Sequence, residues 1–429
     1  MVASPVWAAT FTVNRAADTP DANLANAACD VNASQQGNQC TLRAAIQEAN
    51  DTNGADEIRF NIVSAAAVKT IFPTSALPTI TEAVTINGYT QTGASQNTLA
   101  EGNDAVLKVQ LNGTNAGPAH GLVIEAPDTT IRGLVINRFV GNGVFITGSG
   151  AKVLGNFVGT NAAGSAPLGN GGDGVEIFDA SACTVGGARA AARNVISGNT
   201  DDGVEFQGDT LGNEVLGNYI GTRASSTQDL GNGEDGVNIR DGAFNNIIGG
   251  TASGAGNRIA HNGQDRVFIT RGTGNSVLSN VIFSNTGLGI DLDPNGVTNN
   301  DTDDPDTGAN NLQNFPVITS AIKSSTTPFP GATTITGTLN SNPNQTYIIQ
   351  CFVAVPDSSG HGEGQIPVAQ TTATTNANGD DSSFSCVSPI PQVGQTVTAT
   401  VTRLDTSTTP STPKDTSEFS LNVGVVAGP

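Results

Sequence analysis

The apolar residues of this chain fall in many short runs, in which valine or isoleucine alternates with other residues and glycine or asparagine ends the run. Examples are GVEIF (174–178), NVISG (194–198) and NEVLG (213–217). Such runs are too short for helices, and their period of two predicts strands with one buried face. Each repeat holds three of them, which predicts a parallel β-helix whose successive turns, here called coils, stack in register.

A long internal repeat supports this prediction. Residues 155–187 (GNFVGT…TVGG) align with residues 217–250 (GNYIGT…IIGG), and the two starts are 62 positions apart. A smaller unit, usually a glycine followed by alternating apolar residues, recurs at spacings of 31, 29, 33, 30 and 23. Its first residues are Gly143, Gly174, Gly203, Gly236, Arg266 and Gly289. An irregular period of this length, built from short strands, is typical of a solenoid.

Changes in pattern divide the chain into five predicted segments. Residues 1–9 resemble the end of a secretory signal, with small residues before a cleavage point. Residues 10–62 form an N-terminal cap with a polar loop and a helix, and residues 63–293 form the β-helix. Residues 294–316 are an acidic linker. Residues 317–429 have longer alternating strands, which predict an antiparallel, immunoglobulin-like β-sandwich in an all-β protein.

The helix of the cap carries a family resemblance. Thr41 is the predicted N-cap, and the apolar residues after it lie on one helical face that would cover the first coil. CTLRAAIQEAN (40–50) resembles the signature of the CSLREA-domain proteins, and GNYIGT, IIGGT and RNVISGN resemble further phrases of that family. Thr41 and Ala44 depart from the signature. The resemblance implies a secreted bacterial protein in which this motif precedes a right-handed parallel β-helix of the pectate-lyase-like class, and it implies little about activity.

Charge excludes several classes of partner. Lysine and arginine number 18 against 38 acidic residues, which gives a net charge of −20. This balance argues against nucleic acid and anionic membranes as partners, and an acidic glycan would need a bridging cation. No apolar run approaches the roughly 18 residues of a membrane span. The predicted partner is therefore a polysaccharide or cell-surface glycan, and the sequence leaves the oligomeric state open.

The five cysteines agree with export. Cys29 and Cys40 lie in one polar loop, Cys351 and Cys386 lie near the C-terminus, and Cys183 is alone in a repeat strand. We expect two local disulfides and one buried thiol. Metal ligation by these cysteines is not expected, because none of the three histidines has ligand spacing to a cysteine pair.

The acidic linker is the predicted metal site. Its dense oxygen ligands suit Ca²⁺, although the segment does not follow the EF-hand pattern. The alternative is a solvated acidic turn, and no organic cofactor is predicted. The candidate ligands are Asp301, Asp303, Asp304, Asp306 and Asn310.

The first strand of each coil is the predicted functional face. Val175 and Ile177 point inward, so Glu176 and Phe178 point outward, and the same phase applies in the next coils. Outward carboxylates on adjacent coils, about 4.8 Å apart, predict an acidic patch flanked by aromatic rings. The candidate catalytic residues are Glu176, Glu205, Asp202 and Arg240. The candidate substrate-binding residues are Asp173, Phe178, Gln207, Asp235, Asn238 and Phe268.

Two classes of function fit this face. One is a secreted or surface-attached β-helix that binds a glycan, adheres or serves as structure. The other is a polysaccharide-degrading enzyme: a hydrolase with two carboxylates, or a calcium-dependent lyase with Arg240 as the cationic base. Polar residues at outward positions also occur in any solenoid for solubility. The sequence favours the first class because it contains no recognisable catalytic motif.

Overall fold

The computed structural model describes residues 8–326 and 330–428, which form two compact units. The first unit is Met1–Glu205 with Asn213–Gly233, and the second is Phe206–Gly212 with Glu234–Pro429. Residues 1–7 of the predicted signal remnant lie outside the described residues. Among the described residues, no helix has the length and apolar character needed to cross a bilayer.

The first unit begins with the strand Thr10–Val13, a loop closed by the Cys29–Cys40 disulfide and the helix Leu42–Asp51. The hydroxyl of Thr41 accepts a hydrogen bond from the Ala44 amide, which confirms the predicted N-cap. The apolar face of the helix packs on the strands Thr10–Val13 and Asp56–Phe60. This helix therefore covers the apolar side of the first strand pair.

Short parallel strands in three sheets follow. Sheet A of the first unit contains Thr10–Val13, Asp56–Phe60, Val84–Asn87, Thr130–Arg132, Lys152–Leu154, Thr184–Gly186 and Glu214–Leu216. Sheet B contains Lys69–Ile71, Val109–Asn112, Leu134–Asn137, Phe157–Val158, Val195–Ile196 and Tyr219–Ile220. Sheet C contains Leu122–Ile124, Val144–Ile146, Val175–Phe178 and Val204–Gln207. The 3-10 turns are Leu24–Asn26, Gly88–Thr90, Gly113–Asn115 and Ala190–Ala192.

The strands stack in register, and identical inward positions build the core. In sheet C, Val175 pairs with Val144, and Ile177 pairs with Ile146. All four side chains are fully buried. Apolar columns of this kind are what the alternating pattern of the sequence predicts.

Asparagine ladders hold the coils together at their corners. The Asn194 side-chain oxygen accepts from the Asn156 amide at 2.8 Å, and the Asn218 oxygen accepts from the Asn194 amide at 3.2 Å. The Asn194 side-chain amide donates to the Val153 carbonyl at 2.8 Å. Asn170, Asn199 and Asn232 form a second ladder of the same kind. These buried side chains satisfy backbone groups that no strand pairs.

The second unit contains further parallel strands and an antiparallel sandwich. The parallel strands are Val237–Ile239, Ile247–Gly249, Arg258–Ala260, Val267–Ile269, Ser276–Leu278, Val281–Phe283 and Asp291–Leu292. The 3-10 turn Ala309–Leu312 leads to the sandwich. One sandwich sheet contains Val317–Lys323, Thr333–Asn340, Asp380–Ser388 and Val426–Ala427. The other contains Thr346–Val355, Glu363–Thr374, Thr396–Asp405, Thr412–Thr416 and Val423–Gly424.

The predicted fold class, a parallel β-helix with a capping helix and an antiparallel sandwich, is confirmed. The disulfide predictions are also confirmed, because Cys351 bonds Cys386 inside the sandwich core as Cys29 bonds Cys40 in the cap. Cys183 is a buried free thiol, as expected.

Candidate functional site

Three carboxylates meet on sheet C of the first unit. Glu176 and Glu205 occupy outward positions of Val175–Phe178 and Val204–Gln207, and Asp173 lies at the rim just before the first of these strands. One carboxylate oxygen from each residue lies within 4.8 Å of the other two. We call these three residues the carboxylate trio. The structure thus brings together two predicted catalytic residues and one predicted substrate-binding residue.

The side chains of the trio are far less exposed to solvent than their outward positions suggest. Asp173 is 7% exposed, Glu176 is 9% exposed and Glu205 is 3% exposed. Outward side chains on adjacent coils are only about 4.8 Å apart, so they shield one another from water. Three negative charges in such a place are unfavourable unless a proton or a cation neutralises part of them.

Hydrogen bonds from neighbouring coils fix the trio. The side-chain oxygen of Asn142 accepts from the Asp173 amide at 2.9 Å, and its side-chain amide donates to Glu176 Oε2. Asp173 Oδ1 in turn accepts from the Asp202 amide at 3.0 Å. Asp202 is itself buried and acts here through its backbone. The sequence analysis did not select Asn142, although it precedes Gly143 as Asp173 precedes Gly174.

Burial, together with the charges of Glu205 and Glu176, raises the pKa of Asp173 to about 8, against the lowering effect of the Asp202 amide. This raised pKa favours the protonated form of Asp173 at neutral pH. A carboxyl group of this kind can donate a hydrogen bond or a proton to a ligand oxygen. The trio can alternatively exchange that proton for a divalent cation.

An aromatic ladder runs beside the trio. The rings of His120 and Phe145 stack with centroids 4.9 Å apart and an interplanar angle of 17°, and Phe145 lies 6.2 Å from Phe178. All three rings are half-buried. Phe145 pairs in register with Glu176, which places the ladder directly next to the trio.

His120 is neutral in this ladder. Its Nδ1 accepts a hydrogen bond from the Asn142 amide at 3.0 Å, so the ring proton resides on Nε2. Burial also lowers the pKa of His120. The sequence analysis missed this histidine because one residue beside a repeat glycine gives no periodic signal.

The remaining predicted residues of this face lie in the second unit. Asp235 is buried, and its Oδ1 accepts from the Asp265 amide at 2.7 Å. Asn238 pairs in register with the half-buried Phe268. The Gln207 side chain donates to Asp241 Oδ2 at 3.1 Å. The backbone amide of Arg240 donates to the Phe206 carbonyl, as expected of a strand end.

The linker supplies the second acidic group of the described residues that could hold an ion. One oxygen each from Asp301, Asp304 and Asp306 lies within 4.8 Å of the others. Asp304 is buried, and it accepts from Gln313 Nε2 at 2.7 Å and from the Ser341 hydroxyl. Burial, together with the charges of Asp306 and Asp301, raises the pKa of Asp304 to about 6, against the lowering effect of the hydrogen bonds from Ser341 and the Asn314 amide. A cavity of about 480 Å³ adjoins Asp304 and Asp306.

Two predicted linker ligands lie outside this cluster. Asp303 bonds with Asn340, both through its backbone amide and through its carboxylate. The Asn310 side-chain amide donates to the carbonyls of Asn275 and Thr416, at 2.7 and 3.0 Å. The backbone at Asp303 and Asp304 is left-handed, so the chain turns sharply here, which residue spacing alone does not reveal.

Among known proteins, solved structures show a likeness to this chain. No family profile and no curated protein matches the chain. One matching structure is a mutant of the periplasmic alginate epimerase AlgG, with 13% identity, a TM-score of 0.33 and coverage of 57% of this chain. The chain spans 58% of that structure. Another is pectate lyase Pel9A, with 13% identity, a TM-score of 0.27 and coverage of 67% of this chain and 79% of that one.

Proposed function

We propose that this chain is an extracellular or cell-surface β-helix protein that binds a glycan on sheet C of its first unit. The observation that carries the proposal is the His120–Phe145–Phe178 ladder directly beside the carboxylate trio. Aromatic faces pack against the C–H faces of sugar rings, and carboxylate oxygens accept hydrogen bonds from sugar hydroxyls. The secreted character follows the two disulfides and the CSLREA-like motif, and we propose a bacterial origin on the same motif.

The charge of the trio selects the glycan. A neutral polysaccharide needs no counter-charge, whereas an acidic one would meet two or three negative charges at the trio. Calcium would remove this repulsion by bridging the trio to the sugar carboxylates. We therefore expect neutral glycans to bind with or without calcium, and acidic glycans to bind only with it.

We further propose that the linker binds calcium through Asp301, Asp304 and Asp306. Oδ1 of Asp301 and Oδ1 of Asp306 are both buried and have no hydrogen-bond partner among the described residues. Orphaned carboxylate oxygens that face one another fit a hard cation, which prefers such ligands. The same site would stiffen the linker, since ions that bind only the folded state stabilise it.

The linker site has a direct test. Calcium should raise the melting temperature of the protein, and a chelator should reverse the shift. Asp306→Asn should abolish the shift, whereas Asp303→Asn, a matched change in the same segment, should leave it. A calcium response that Asp306→Asn retains would contradict this assignment.

The raised pKa of Asp173 favours a second candidate, a polysaccharide hydrolase. In that reaction Asp173 is the general acid, and Glu176 or Glu205 is the carboxylate that acts as nucleophile or base. The close spacing of the trio fits the retaining mechanism better than the inverting one, whose carboxylates are further apart. A calcium-dependent lyase would instead require Arg240 as its base.

One set of measurements decides among these functions. Neutral and acidic polysaccharides are tested with calcium and with chelator, for retention on affinity gels, new reducing ends and the absorbance of unsaturated sugars. Retention without turnover, lost in Phe145→Ala and kept in Phe72→Ala at an exposed phenylalanine elsewhere, supports glycan binding. Reducing ends that disappear in Asp173→Asn support the hydrolase, and absorbance that disappears in Arg240→Gln supports the lyase. No retention and no product would overturn the carbohydrate function.

A further inference from the structure

Three strands of the second unit are the last strands of the three β-helix sheets, and no further coil follows them in the described residues. They are Ser276–Leu278, Val281–Phe283 and Asp291–Leu292. In a parallel sheet, the backbone groups on the outer side of such a strand have lost their partners and offer an edge to any other strand. Buried amides at this edge therefore need acceptors from elsewhere in the chain.

The sandwich supplies acceptors to the first of the three strands. The Thr416 hydroxyl accepts from the Val277 amide at 2.8 Å, and Asp415 Oδ1 accepts from the Gly274 amide. Gln350 Oε1 accepts from the amide of Ser279 at 2.9 Å. All of these acceptors are side chains rather than a paired β-strand.

Two glutamates supply acceptors at the other two strands. After the second strand, the Glu363 carboxylate accepts from the amides of Ser284 and Asn285, at 2.5 and 3.1 Å. At the third, Glu418 accepts from the amides of Leu292 and Thr298, at 3.1 and 2.9 Å. Each carboxylate thus occupies two donors at once.

These sandwich side chains are all buried, with exposures of 0 to 3%, in a protein that has abundant exposed acidic residues. They are Gln350, Glu363, Asp415, Thr416 and Glu418. We infer that the sandwich is the end cap of the β-helix: these five side chains occupy amide donors in and directly beside the last strands and so prevent the strands from pairing with an edge strand of a second copy of this chain. This role is independent of glycan binding, because none of these residues belongs to the carboxylate trio or the aromatic ladder.

The repeat glycine is replaced by arginine in the coil that contacts the end cap. At Gly236 a Cβ atom would lie 2.7 Å from the Arg266 carbonyl oxygen of the next coil, so the position requires glycine. The equivalent residue one coil later is Arg266, which is 1% exposed. Its guanidinium donates to the Leu288 carbonyl at 3.0 Å and forms a buried ion pair with Glu363. A buried arginine without that glutamate would be strongly unfavourable, so the last coil is specific for its cap.

Two variants of the full chain test the end cap. Thr416→Val and the double variant Thr416→Val/Glu418→Met remove acceptors and keep side chains of similar size. Thr372→Val/Glu125→Met is the matched control, since both residues are exposed and contribute no hydrogen bond to the three strands. Hydrogen exchange is measured on peptides covering 274–298, and sedimentation velocity is measured over a range of protein concentrations.

We expect roughly tenfold faster exchange in 274–298 for the double variant, because the amides of Val277 and Leu292 lose their acceptors. We also expect assemblies that grow with concentration, which the wild type and the control do not form. The single variant should show a smaller increase in exchange and in assembly, and it provides the test if the double variant does not fold. Unchanged exchange would show that the side chains do not cap the strands. Faster exchange without any new assembly would overturn their blocking role.

Discussion

Glu48 in the capping helix should make the stability of the N-terminal cap depend on pH. Its side chain is fully buried, and neither carboxylate oxygen receives a hydrogen bond from a donor among the described residues. Burial, together with the neighbouring charges of Asp21 and Asp51, raises the pKa of Glu48 from 4.5 to about 7. The perturbation that tests this is Glu48→Gln, which keeps the shape and removes the charge.

The sign and the size follow from linkage. The folded state binds the proton of Glu48 more tightly than the unfolded state, so the free energy of unfolding falls as the pH rises from about 4.5 to about 7. One pKa unit corresponds to about 1.4 kcal/mol, so the whole change amounts to roughly 3 kcal/mol. Glu48→Gln should therefore stabilise the cap by roughly 3 kcal/mol at pH 8 and change little at pH 4.5.

Hydrogen exchange of the amides in Leu42–Asp51 is the appropriate assay, because it reports the opening free energy of this helix alone. Asp173, whose pKa is about 8, also titrates in this range, so the quantity to compare is the difference between variant and wild type at each pH. Glu125→Gln, at an exposed position, is the control and should show no such difference. An equal difference for Glu48→Gln at pH 5 and pH 8 would refute the reasoning.

Three further predictions concern stability, and each is measured by chemical denaturation of the full chain. Asn194→Ala, which removes a fully buried ladder side chain and leaves backbone groups unsatisfied, should lower the free energy of unfolding by roughly 2–3 kcal/mol; a change below about 0.5 kcal/mol would contradict the ladder's role. Replacing Cys351 and Cys386 with serine opens a closure of 35 residues and should cost about 4 kcal/mol, and an equal effect of reductant on the serine variant would argue against this cause. Glu363→Ala leaves Arg266 buried without its partner and should cost about 3–5 kcal/mol, and adding Arg266→Met should restore the part of this loss that comes from the unpaired charge.

The fold was predictable from the sequence because it depends on local periodicity. The two-residue period of the strands determines which side chains enter the core. Val175 and Ile177 are buried, as their positions in this period require. The Thr41 N-cap and both disulfides were also predictable, since each involves residues close in sequence. Short strands in a repeat leave few alternative arrangements.

The candidate site was predictable only in part, because burial depends on neighbours from other coils. The pattern identifies Glu176 and Glu205 as outward but does not reveal that they are nearly dry. Asn142, which bonds the Glu176 carboxylate and the Asp173 backbone amide, is a common residue of the repeat and carries no local signal. Glu48 lies at the edge of an apolar helical stripe, and its burial depends on the loop around Asp21. The helix holds this loop through Gln47, whose side-chain oxygen accepts a hydrogen bond from the Asp21 amide.

The asparagine ladders make the β-helix adjustable in length. Ladder members are separated by 38 and 24 residues in one ladder and by 29 and 33 in the other, yet both pairs of steps add up to 62. The loops between them can therefore differ in size from coil to coil, provided that every second coil restores the register. Inserting one more copy of the 62-residue repeat would lengthen the solenoid by two coils, or roughly 10 Å, and each ladder asparagine would still meet its equivalent. An insertion of half that length would place a loop of the wrong size at each corner.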